Sequence, residues 1–122
     1  MKGYTDLEQS KKLAKILPME SADMRYSPLG DNMHPWVWTD TFIEKDAIPC
    51  WSLAALLEVL PKICYPVKQD YPTYLTLGKP KDKWCALYWD VTGMQDGEQT
   101  LADNPVDARV EMIIKLHDQK LL

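Results

Sequence analysis

Hydrophobic and polar positions alternate most clearly in the middle of the chain. In Thr73-Tyr74-Leu75-Thr76-Leu77, Leu75 and Leu77 fall on one side and Tyr74 and Thr76 on the other. The β-branched and aromatic content is that of a strand. Gly78-Lys79-Pro80-Lys81-Asp82-Lys83 is a polar break in which glycine supplies an unusual φ and proline excludes a ladder hydrogen bond. Alternation then resumes over residues 84–91. Cys85, Leu87, Trp89 and Val91 oppose Trp84, Ala86, Tyr88 and Asp90, and the first, more apolar set is assigned to the core. The pattern predicts a β-hairpin over about 73–77 and 84–91. A lone hairpin is marginal in water, so other elements must cover it.

The helical period appears three times. Thr5-Asp6-Leu7-Glu8 reads as a capping box, followed by Leu7, Leu13, Ala14, Ile16 and Leu17 with Lys11, Lys12 and Lys15 on the wet side. Pro18 disfavours helix at Leu17, which predicts a helix over 6–17. Ser52 fits an N-cap, Trp51 and Leu56 are placed for a hydrophobic staple, and Leu53, Leu56, Leu57 and Leu60 form an apolar stripe. That helix runs 52–60 and stops at Pro61. Asn104 at N-cap, Pro105 at N1 and Asp107 near the positive helix end open a third helix, 105–120, with Val106, Val110, Ile113, Ile114, His117 and Leu121 on its stripe.

Between these, residues 20–24 read as a short helical turn and 27–32 as turn chemistry. Trp36-Val37-Trp38-Thr39 has strand composition and is placed at the edge of the hairpin. Residues 62–72, with two prolines, read as a connector, and 93–98 as a loop. The expected architecture is α+β: a small antiparallel sheet built on the hairpin, covered by three helices, with residues 1–122 as one domain.

Composition narrows the function classes. The net charge of −4 disfavours wide contact with nucleic-acid phosphates. No apolar run approaches the ~18 residues of a membrane helix, and the polar start lacks an apolar signal core, so the expected compartment is the cytoplasm. Three widely spaced cysteines, Cys50, Cys64 and Cys85, give neither a disulfide framework nor a C-x-x-C pair.

Catalytic constellations are hard to assemble from this sequence. Cys50, just before the second helix, with His34 as base, is the one thiol arrangement with a physical rationale, because a helix N-terminus lowers a thiol pKa. Its competing reading is a small core residue. Asp31 and His34 alone do not make a metal site, and His117 reads as a packed or boundary residue. Glu20 and Asp23, Glu44 and Asp46, and Asp103 and Asp107 are carboxylate pairs, but acid–base work needs environments that separate their pKa values. There is no glycine-rich phosphate loop and no hydrolase or zinc signature, so no cofactor is expected.

The unusual feature is aromatic. Five tryptophans and six tyrosines are many for 122 residues. The candidate interaction surface comprises Trp36, Trp38, Tyr74, Trp84 and Tyr88. Aromatic enrichment favours a protein partner, a second copy of the chain included. Lys79, Lys81 and Lys83 beside Trp84 and Tyr74 also permit weak single-strand stacking, against the acidic balance.

Three stretches carry a resemblance: Leu13-Ala14-Lys15-Ile16-Leu17-Pro18-Met19-Glu20-Ser21-Ala22-Asp23-Met24, residues 50–61, and Asn104-Pro105-Val106-Asp107-Ala108 leading into 110–117. They resemble small prophage and mobile-element proteins of gut bacteria that have no assigned activity. The resemblance spans roughly half the chain and is weak over 25–49. It implies a bacterial or phage setting and brings no site residues.

Overall fold

The computed structural model describes residues 2–27, 35–37, 47–64, 73–79, 82–89 and 96–122. The elements in order are helix α1 (Leu7–Ala14), a 3-10 turn (Met19–Ser21), strands β1 (Met24–Tyr26), β2 (Trp36–Val37) and β3 (Ile48–Cys50), helix α2 (Leu53–Val59), strands β4 (Ile63–Cys64), β5 (Thr73–Gly78), β6 (Trp84–Trp89) and β7 (Asp96–Ala102), and helix α3 (Pro105–Asp118). Among the described residues two antiparallel sheets result, ordered β2-β1-β3 and β4-β5-β6-β7. The fold is α+β, with the hairpin and all three helices near their expected positions.

The helices begin where local chemistry satisfies their orphan amides. α1 is capped by Asp6, with Gln9 completing the capping box, one residue beyond the expected Thr5–Glu8 pair. Thr5 is instead fully buried and serves another purpose. Ser52 caps α2 through the Ala55 amide, and Asn104 caps α3 through that of Asp107. α3 ends in a Schellman motif. The Lys120 amide donates to the His117 carbonyl at 3.0 Å and the Leu121 amide to the Leu116 carbonyl at 2.8 Å, with Lys120 left-handed at φ 60°. The turn folds Leu121 back onto the core.

One core joins Leu13 and Leu17, Trp51, Leu56 and Leu60, Ala86 and Tyr88, and the buried face of α3. α3 lies against β6, β7 and α2. The register corrects the assignment of the hairpin's inner face. Leu75 pairs with Tyr88 and Leu77 with Ala86, so odd positions on β5 oppose even positions on β6. Paired residues share a face, and the helix-covered face of β6 therefore carries Trp84, Ala86 and Tyr88 rather than Cys85 and Leu87. Those two are buried on the opposite face, and Val91 lies outside the described residues.

Other expectations change as well. Residues 20–24 are a 3-10 turn followed by a strand. β2 pairs with β1, not with the hairpin. Ile63–Cys64 adds an edge strand to β5 where a connector was expected, and β7 begins at Asp96 inside the expected loop. β7 is hard to read in the sequence because its described end, residues 99–102, inverts the usual pattern. Polar Thr100 points inward, donating to the Ala108 carbonyl at 2.6 Å, while Leu101 is half exposed. Gly78 is the last residue of β5, opposite Cys85, and does not adopt a left-handed φ. The expected turn at 27–32 falls mostly outside the described residues.

Candidate functional site

Pro18 has an extended backbone and ends the first helical segment; the chain then tightens into the 3-10 turn. The Ser21 hydroxyl donates to the Pro18 carbonyl at 2.6 Å, and the buried Trp51 indole Nε1 donates to Ser21 Oγ at 2.9 Å. Asp23 accepts the Ser52 amide at 2.9 Å and also the Ser52 hydroxyl. Residues 18–23 are thus clipped to the start of α2.

A cleft of about 690 Å³ lies between these two segments. That is within the ~300–1,000 Å³ span of ligand clefts. Leu17, Pro18, Glu20, Ser21, Ala22 and Asp23 form one wall. Ala54, Ala55, Glu58 and Val59, at i, i+1, i+4 and i+5, form the other, and Leu122 closes the side. The left-handed turn at Lys120 sets up this last contact, because it reverses the chain after α3. Leu122 is 41% exposed.

The floor is apolar and the rim acidic. Glu20, Asp23 and Glu58 are the only charged side chains among the described lining residues; none is basic. Asp23 is committed to Ser52, whereas Glu20 and Glu58 are exposed carboxylates on opposite walls. Glu58 sits in the last turn of α2, which carries no basic residue. A negative charge at the negative end of a helix dipole costs about 0.3–1 kcal/mol, so the fold does not call for an acid there. Ala54 and Ala55 leave room that larger residues would fill.

The described aromatic candidates, Trp36, Trp84 and Tyr88, do not form one surface. Trp36 is 62% exposed, beside Val37 at 69%, on the terminal strand of the first sheet. Tyr88 belongs to the core, 1% exposed, with its hydroxyl donating to the Pro61 carbonyl at 2.7 Å; it is withdrawn from the interaction surface. Trp84 is half-buried against the core, and Lys79 Nζ lies 5.6 Å from its ring centroid. Tyr74 occupies β5 opposite Trp89, but its side chain, like Trp38, is outside the described residues. Lys83 pairs with Asp103. Two of the three hairpin lysines are thus engaged within the chain, and Lys81 lies outside the described residues.

The thiol arrangement changes character. Cys50 ends β3 and is fully buried, its Sγ within 3.5 Å of Thr5 Oγ1 and donating to the Thr5 carbonyl at 3.4 Å. Burial pushes its thiol up, overriding the hydrogen bonds from Thr5, Ser10 and Tyr26 that favour the thiolate. An activated nucleophile needs the opposite shift. His34, its suggested base, is outside the described residues, as are Asp31, Glu44 and Asp46. His117 is exposed, not packed. Asp107 is not an acid–base candidate: it accepts from Lys2 Nζ at 2.8 Å, Gln9 Nε2 at 2.7 Å and Asn104 Nδ2 at 2.8 Å. Among the described residues, no group of three or more histidine, cysteine or acidic side chains is arranged for a metal, and no helix is long and apolar enough to cross a membrane.

Sequence reasoning named Glu20, Asp23 and the α2 helix, but not the cleft between them. The signal was the small-residue pair Ala54-Ala55 on a helix otherwise rich in leucine. Comparison with protein-family models, curated proteins and solved structures finds no match.

Proposed function

We propose that this protein is a non-enzymatic interaction domain that holds a segment of another protein in the cleft between residues 17–23 and α2. The cleft carries the reading: an apolar floor, open to solvent, with hydrogen-bonding groups already committed to shaping the walls. A cleft of this kind supplies apolar area for an anchor side chain. Acid–base work by a carboxylate pair needs contrasting environments for the two groups, and Glu20 and Glu58 are both exposed. The mobile-element setting implied by the sequence resemblance is compatible with such an adaptor, and gene neighbourhood is its test.

Selection of a random peptide library on the immobilised chain tests the reading. Enriched peptides are expected to bind the wild type and to bind Ala54→Trp, which fills the cleft from an exposed position, at least about tenfold more weakly, the scale of one lost anchor. A library that enriches nothing, or peptides indifferent to Ala54→Trp, would contradict it.

A further inference from the structure

The charge of the rim narrows the partner. We infer that the cleft docks a basic peptide segment, an apolar anchor side chain flanked by lysine or arginine, rather than a neutral or acidic one. The inference rests on the interaction reading above and adds its specificity.

Charge complementarity supports it on two scales. Locally, Glu20 and Glu58 stand on opposite walls with no lysine, arginine or histidine among the described residues lining the cleft. None of the described residues pairs a cation with Glu58. Its position at the C-terminal turn of α2 works against the helix dipole, which a docked cation would relieve. Globally, the chain carries −4, so the long-range field attracts a basic segment and repels an acidic one. The apolar floor built by Leu17, Ala55, Val59 and Leu122 takes the anchor, and the rim carboxylates take the flanking charges. Exposed pairs of this kind contribute modestly, roughly two- to five-fold in affinity each. Their role is therefore selection among anchors that fit.

Fluorescence anisotropy with three labelled peptides tests this. Each has a Leu-Ala-Ala-Leu centre, flanked by arginine pairs, by glutamine pairs or by glutamate pairs. Wild type is expected to bind in the order arginine, glutamine, glutamate. Combined Glu20→Gln and Glu58→Gln is expected to weaken the arginine peptide roughly five- to twenty-fold and leave the glutamine peptide unchanged. Raising salt to about 0.5 M should abolish the difference between them. Both glutamates are exposed, so the variant folds, which circular dichroism checks. Equal binding of all three peptides, lost in Ala54→Trp, would overturn the charge selectivity while leaving the interaction reading intact. Absence of binding by any peptide, or binding unaffected by Ala54→Trp, would overturn both. Concentration-dependent dimerisation that Ala54→Trp abolishes would assign the cleft to a second copy of this chain and overturn the basic-peptide assignment.

Discussion

Thr5 joins four other residues through its hydroxyl and its carbonyl. Its hydroxyl meets Ser10 Oγ at 2.7 Å and accepts the Trp51 amide at 3.2 Å, while its carbonyl accepts the Tyr26 hydroxyl at 2.8 Å and the Cys50 thiol. The N-terminal segment is thereby sewn to β1, β3 and the start of α2. Thr5→Val keeps the shape but strands a buried amide and a buried hydroxyl; urea denaturation should show a loss of about 2–4 kcal/mol. Burial raises both the Cys50 thiol, from an ordinary 9.0, and the Tyr26 phenol, from 10.0. The unfolded chain releases these protons first. Their contribution is thus intact below about pH 9 and is lost as pH rises toward the folded-state values. Thermal melts should fall above pH 9, and Cys50→Ala should shift that alkaline limb upward. Arg109 is the opposite case, 5% exposed, with Nη1 donating to the Pro105 carbonyl and Nε without a partner. No described carboxylate faces it. Arg109→Met keeps the aliphatic stem and is expected to stabilise by about 1–3 kcal/mol in urea.

Elements differ in how openly the sequence announced them. The three helix starts at Asp6, Ser52 and Asn104 were readable to within a residue, because capping chemistry is local. Helix ends were less so: α3 stops at Asp118 through a Schellman motif that lacks its usual glycine. Lys120→Gly should relieve the left-handed strain and raise stability by about 0.5–1 kcal/mol, measured by thermal melting. The short strands β1, β3 and β4 were not legible. Two or three residues carry no period, and their pairing depends on partners distant in the chain. The inner face of β6 was assigned from apolarity, but both faces are buried, so only the register with β5 decides which one the helices cover. Of the cleft, Glu20 and Asp23 were visible as acids. That their segment faces α2 follows from the hydrogen bonds of Ser52 to Asp23 and of Trp51 to Ser21, which no spacing rule contains.

At the scale of the whole molecule, the N-terminus ties two helix starts together. Lys2 pairs with Asp6 at 2.9 Å and Asp107 at 2.8 Å, bridging α1 and α3. Burial acts to raise the Asp107 carboxyl, but hydrogen bonds from Lys2, Gln9 and Asn104 outweigh it and hold the group below its usual 3.8. Its contribution is present above that value and is lost as pH falls through the lower folded-state pKa. Asp107→Asn should cost about 1 kcal/mol near neutrality and flatten the acid limb of the stability profile. With the core held this way, the segment 17–23, α2 and Leu122 meet as three fixed walls, and the acid-rimmed cleft follows from the fold. The most direct test is the amide NMR spectrum of the labelled chain titrated with the arginine-flanked peptide. Shift changes concentrated at residues 17–23, 54–59 and 122 are predicted; changes confined elsewhere, for example to Trp36 and Val37, would contradict the account.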